Sequence, residues 1–226
     1  MYNFYSSYWI YVLPGLLLGM YAQAKIRAAY GTYSKIANRR GITGAQLALD
    51  MLHRGGIYDV QIERIQGTLT DHYDPRSHTL RLSNGVHDAD SIAALGIAAH
   101  EVGHAMQHAQ AYAPLRIRNA IVPMANIGSR FAFMLVFIGM FFRSSLIDLG
   151  ILLFAFTFLF QLITLPVELN ATRRAKSVLS RDYLTDSEME GVHKVLGAAA
   201  LTYVAALVSS LGTLLHLLNL SGRRRN

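Results

Sequence analysis

The chain has 226 residues, no cysteine, 52% hydrophobic residues and a formal net charge of +7. The missing cysteine excludes disulfides, thiolate-ligated zinc and a cysteine nucleophile. The long uncharged runs exclude an ordinary soluble domain, and they make membrane-side loops a better home for the basic residues than a nucleic-acid surface. A span needs about 20 apolar residues, and four stretches are read as transmembrane helices: 3–24, 121–142, 147–167 and 196–220. The first opens with Tyr2, Phe4, Tyr5, Tyr8, Trp9 and Tyr11, as an interfacial aromatic belt does. No positive charge precedes Lys25, so a retained anchor is expected rather than a cleaved signal, despite the Ala22-Gln23-Ala24 triplet.

Beyond that run, Ile26, Tyr30, Tyr33 and Ala37 recur at helical spacing, and the helix is expected to continue until Gly41. Thr43 or a neighbour caps a second helix that runs to about His53 and ends at Gly55-Gly56. Val60 and Ile62 suggest a short strand. Asp74-Pro75-Arg76-Ser77 is a turn, and Thr79-Leu80-Arg81-Leu82-Ser83 alternates as a strand does. That strand is expected either to take an extended peptide as an added strand or simply to pack on the next helix. Asp88 or Asp90 is the expected N-cap of a helix running to Pro114. Lys25, Arg27, Lys35, Arg39 and Arg40 follow the first span, and Arg173, Arg174, Lys176 and Arg181 follow the third. The positive-inside rule then puts residues 25–120 in the cytoplasm. The tail Arg223-Arg224-Arg225 reads as a headgroup anchor. With no repeat or low-complexity linker, residues 1–226 are read as one integrated domain.

The helix before Pro114 carries His100-Glu101-Val102-Gly103-His104. Residues four apart share a helix face, so both imidazoles can grip one metal ion while Glu101 reaches a metal-bound water without ligating the metal. Catalytic zinc uses three protein ligands. His108 would need three side chains spread over about 12 Å of helix to meet one ion. The metzincin pattern fails at Gln107 and Gln110. A carboxylate from another helix remains, and Glu168, at the end of the third span, is the outstanding choice. Its plain alternative is a partner for a juxtamembrane arginine such as Arg173. His53, His72, His78, His87 and His108 read as ordinary surface or hydrogen-bonded histidines, and His216 as a bond to a neighbouring helix. The phenylalanines between Phe131 and Phe160 read as lipid-facing or bundle packing.

The stretches Leu69-Thr70-Asp71-His72-Tyr73-Asp74-Pro75, Leu80-Arg81-Leu82-Ser83, Ala98-Ala99-His100-Glu101-Val102-Gly103-His104-Ala105-Met106-Gln107, Pro166-Val167-Glu168-Leu169-Asn170-Ala171 and Ala199-Ala200-Leu201-Thr202-Tyr203-Val204-Ala205-Ala206 closely resemble the YugP-type membrane zinc metallopeptidases. More distantly the chain is similar to the HtpX-type gluzincins. The resemblance implies a mainly α, polytopic membrane protein with a small α+β gluzincin-like zinc-protease core. It implies one zinc ion per chain on His100, His104 and Glu168, with Glu101 as general base. The HtpX-type pattern places an aspartate four residues after its ligand glutamate; this chain has Thr172 there, which leaves Asn170 or Thr172 to orient a histidine. Tyr203 and His193 are candidates for the oxyanion donor, Tyr203 being favoured because it lies in a resembling segment. The expected function is a membrane-embedded endopeptidase acting on membrane or unfolded proteins near the surface, in a bacterial-type plasma membrane with the site facing the cytoplasm. The alternative is a non-catalytic scaffold with a structural metal site, which would have no need of Glu101 and would tend to carry a fourth ligand. The expected partners are a protein or peptide substrate and the lipid bilayer, and no nucleic acid.

Overall fold

The computed structural model describes the backbone of residues 2–142 and 144–225 and the side chains of residues 8–142 and 145–222. The side chains of Tyr2, Phe4, Tyr5, Arg223, Arg224 and Arg225, which carried the expected belt and anchor, lie outside the described residues. In chain order the elements are α1 (Tyr2–Tyr33), α2 (Gly44–Arg54), β1 (Gln61–Ile65), β2 (His72–Asp74), β3 (Thr79–Ser83), α3 (Asn84–His87), α4 (Ile92–Ala109), α5 (Ala113–Phe141), α6 (Ser144–Asp182) and α7 (Asp186–Arg225). The protein is thus mainly helical with one small sheet. The chain forms two compact units, one of Gln23–Leu115 with Val167–Leu201, the other of the stretch up to Ala22, Arg116–Pro166 and the stretch from Thr202.

In the unit built on residues 23–115 and 167–201, α4 is the central element. Its Ala93, Ala94, Leu95, Ala98, Ala99 and Val102 are fully buried, so it is apolar almost all round, as a core helix must be. Around it pack Leu47, Met51 and Leu52 of α2, Leu80 and Leu82 of β3, Leu179 of α6 and Val192, Val195 and Leu196 of α7. Each fully buried leucine contributes about 1.5–3 kcal/mol relative to exposure. The start of α2 is fixed by a capping box: the Thr43 side chain accepts from the Gln46 amide, and the Gln46 side chain accepts from the Thr43 amide.

The sheet has the order β1-β3-β2, with β3 parallel to β1 and antiparallel to β2. β3 falls at the expected residues, but it is the central strand. Both of its edges are paired, so it cannot take a peptide as an added strand. The N-cap of α4 also differs from expectation. It is Ser91, whose hydroxyl accepts from the Ala94 amide; Asp88 is drawn away to Arg64 and His87, and the Asp90 carbonyl receives Asn38.

The other unit holds most of the apolar helix surface. Among the described residues three helices, not the four expected, are long and apolar enough to cross a membrane: Ala113–Phe141, Ser145–Asp182 and Asp186–Gly222. Their most apolar windows are only 22%, 17% and 33% buried within the protein, leaving large outward faces that suit lipid. Phe131, Phe133, Phe137 and Phe141 are exposed, as a lipid-facing stripe requires, whereas Phe154 is buried. The missing fourth span is the first run. α1 forms a continuous helix, but Tyr8, Tyr11, Tyr21, Pro14 and Gln23 dilute its hydropathy. It stops at Tyr33, and Ala37 instead bridges to Ser91. Small residues set the packing here: a side chain at Gly150 would strike the Ala132 carbonyl oxygen, 2.7 Å from the position of its Cβ, the close backbone approach typical of membrane helices. His216 is buried and meets Tyr8 edge-on, with ring centroids 5.1 Å apart.

Candidate metal centre

His100 and His104 project from one face of α4 with ring centroids 4.9 Å apart and planes at 86°. Opposite them, α6 presents Glu168. One carboxylate oxygen, Oε2, lies 3.2 Å from His100 Nε2 and 3.4 Å from His104 Nε2. The three ligand atoms lie within 4.8 Å of one another, the only such group of three or more histidine and carboxylate residues among the described residues. The side chains of His100, His104 and Glu168 are 13%, 12% and 5% exposed, so water competes little for them.

The close approach of the two helices has a simple cause. Gly103, inside the pentapeptide, faces Ala171 of α6, and a Cβ on it would stand 2.8 Å from the Ala171 carbonyl oxygen. Glycine there lets α6 come near enough for Glu168, three residues before Ala171, to reach both imidazoles.

The two outward nitrogens are held as well. Thr172 Oγ1 lies 3.2 Å from His100 Nδ1, and Gln107 Oε1 lies 3.0 Å from His104 Nδ1. Gln107 is fully buried, and its amide donates to the Val167 carbonyl at 2.8 Å and to Asn170 Oδ1 at 3.0 Å. With both amide protons spent, the Gln107 oxygen must accept, so His104 carries its proton on Nδ1. Nε2 is then left as a lone pair facing Glu168, the tautomer that a metal ligand needs. Asn170 Oδ1 also accepts from Arg174, which donates on to Gln110. Of the two residues expected to orient a histidine, Thr172 therefore touches His100 directly, and Asn170 acts on His104 through Gln107. In the sequence Gln107 excludes the metzincin pattern and closes one of the resembling stretches, but it was given no role at the site. Its one sequence signal was its position, three residues past His104 on the same helix.

Burial disfavours a charged His104, but in the protonated form a hydrogen bond from Nε2 to Glu168 and the neighbouring Glu101 carboxylate outweigh it and raise the imidazole above its ordinary value. The pocket thus favours positive charge. Two neutral imidazole nitrogens and one carboxylate oxygen, buried and oriented from behind, fit a borderline divalent ion such as zinc and leave a coordination position open. Glu101 is 8% exposed, and its carboxylate takes no hydrogen bond from any described residue. His193 is exposed on α7. Tyr203 lies on α7 in the other compact unit, half-buried.

The sequence of the family described as "putative neutral zinc metallopeptidase" matches residues 8–222. The chain belongs to this family. It is also similar to the Bacillus subtilis (strain 168) protein named "putative membrane protease YugP", 46% identical over 218 residues that cover 95% of this chain and 97% of the relative. No solved structure matches the chain. Membership of a zinc peptidase family implies zinc, and His100, His104 and Glu168 are a group that could hold a metal ion. Together with the three apolar helices that membership marks a membrane-associated hydrolase.

Proposed function

We propose that this chain is a membrane-embedded, gluzincin-like zinc endopeptidase that hydrolyses peptide bonds of membrane proteins or of unfolded segments close to the membrane. The observation that carries the reading is the convergence of His100, His104 and Glu168 on one point, with the buried carboxylate of Glu101 left unengaged beside them. One zinc ion per chain, held by those three residues, would polarise the scissile carbonyl and make a water acidic enough to attack at neutral pH. Glu101 accepts the proton of the attacking water and delivers it to the leaving amine. Thr172 and Gln107 keep the Nδ1 protons of the two histidines on the outer side. Tyr203 is proposed to donate to the developing oxyanion.

Lys25, Arg27, Arg173 and Arg174 support a catalytic segment on the cytoplasmic side. Against a purely structural metal site stands the ligand count. The described residues supply three ligands and a base, where a structural site is closed by four ligands.

The test is hydrolysis of an unfolded protein by the purified, detergent-solubilised chain beside Glu101→Gln. The expected result is activity in the parent that a chelator abolishes, with a loss of about 10²-fold or more in the variant while bound zinc is kept. Equal activity in parent and variant would remove Glu101 from the mechanism.

A further inference from the structure

A second histidine pair stands apart from the catalytic group. His108, in the last turn of α4, and His78, just before β3, have ring centroids 5.1 Å apart with planes at 80°. That nearly repeats the spacing and inclination of His100 and His104, 4.9 Å and 86°. The outward support is repeated too. His78 Nδ1 lies 2.6 Å from Asp59 Oδ2, and His108 Nδ1 lies 2.8 Å from the Tyr73 hydroxyl. A carboxylate or hydroxyl on one ring nitrogen, with the other nitrogen left over, is the usual setting of a metal-ligating histidine.

We propose that His78 and His108 form a second, weaker binding site for a late first-row divalent metal such as zinc, nickel or copper, independent of the proteolytic site. An ionised aspartate only accepts, so His78 carries its proton on Nδ1 and keeps Nε2 as a lone pair. The Asp59 carboxyl is held below the usual range by that bond first, then by a backbone amide, and the charge of His108 is also felt there. The Tyr73 hydroxyl, pushed up to about 12 chiefly by burial, stays protonated. It can accept the Nδ1 proton of His108 as readily as donate its own, so a metal on Nε2 selects the tautomer without breaking the contact. Imidazole donors favour these metals over magnesium or calcium. The side chains of His78 and Asp59 are 42% and 67% exposed, so the site opens to solvent, and water would complete the coordination.

The backbone adds an independent sign. His78 has φ +50°, in the left-handed region that costs a non-glycine residue energy and recurs at functional positions. An ion there would tie the entry of β3 to the last turn of the helix that bears the catalytic histidines.

The experiment is equilibrium dialysis of the solubilised full chain against zinc, with His78→Asn (asparagine tolerates the left-handed backbone), His108→Gln and Glu168→Gln. The parent is expected to show a tight and a weak class. Each of the first two variants should lose the weak class and keep the tight one, which also shows that they fold. Glu168→Gln should lose only the tight class. With zinc in the tight site, copper(II) added to the parent should show nitrogen hyperfine structure from two imidazoles, reduced to one in either variant. Zinc beyond the first equivalent should raise the melting midpoint of the parent but not of His78→Asn or His108→Gln. A parent with a single class, or a weak class that persists in both His78→Asn and His108→Gln, would overturn the proposal and leave the cluster as a hydrogen-bonded clip. Absence of proteolysis with both classes present would count against the endopeptidase alone.

Discussion

Gly103→Ala puts the helix contact behind the metal centre to a direct test. The new Cβ would sit 2.8 Å from the Ala171 carbonyl oxygen and 3.2 Å from its carbonyl carbon and Cα. A carbon and a carbonyl oxygen rest comfortably at about 3.3–3.6 Å, so α6 must retreat from α4 by roughly 0.5–0.8 Å. Backbone atoms cannot rotate aside as a side chain can, and overpacking of this kind costs about 1–3 kcal/mol. Glu168 rides on the same helix one turn earlier, so its carboxylate moves with Ala171. A site of this type must be held to about 0.5 Å, and a displacement near 1 Å can cost about 10²-fold in rate. The expected outcome is zinc affinity lower by about tenfold or more, measured by chelator competition, and hydrolysis slower by about 10–100-fold. Gly96→Ala is the control on the same helix. Its Cβ would meet Val192 no closer than 3.6 Å, so it should fold normally and gain up to about 1 kcal/mol from helix propensity. Zinc affinity and rate within about twofold of the parent in Gly103→Ala would refute the claim that this contact sets the position of Glu168.

Gln107→Leu should lower the melting midpoint even in chelator-treated protein. It strands the His104 Nδ1 proton in the interior, at about 1–3 kcal/mol for the unsatisfied group, and calorimetry of parent and variant without metal checks it. Thr172→Val keeps the shape but removes the partner of His100; zinc affinity should fall by about tenfold, whereas Thr172→Ser should keep it, as read by the same competition assay. The turn between β2 and β3 should loosen only in strong acid. The Asp74 carboxyl is lowered from 3.8 to about 2 by the Arg76 amide first, then by Ser77 and Arg81. A depressed carboxylate gives stability that is present above its unfolded value and is lost as pH falls through the folded one. The melting difference between parent and Asp74→Asn should therefore be steady at neutral pH and shrink from about pH 4 towards pH 2.

Local signals read well from the sequence because their physics is local. The cap at Thr43, the alternation of Thr79–Ser83 and the helical spacing of His100 and His104 each involve residues a turn or a pleat apart. β2 was not legible, since His72–Asp74 is three residues long inside a turn-rich stretch. Without it, β3 looked like a free edge rather than a central strand. The sequence offered Asp88 or Asp90 as the cap of α4 and not Ser91; Asp88 is claimed by Arg64, from elsewhere in the chain. The run before Ala24 was read as a span on its length, its lack of charge and its aromatic opening, but its tyrosines leave the helix short of the hydropathy of the other three. Gln107 reads as a surface residue in any composition scale; only Val167 and Asn170, 60 and 63 residues away, explain why it is fully buried.

The sequence by itself determined that two imidazoles and a glutamate share one helix, because the 3.6-residue period places positions 100 and 104 on the same face whatever surrounds them. It also determined, through its long uncharged runs, that much of the chain belongs in lipid. The tertiary structure decided how those imidazoles become a metal centre. Glu168 Oε2 meets both Nε2 atoms, and Thr172 holds His100 Nδ1, only because α6 passes against Gly103; Gln107 holds His104 Nδ1 from the same helix, fixed by Val167 and Asn170 of α6. That close approach joins residues about 70 positions apart, which no local period can specify.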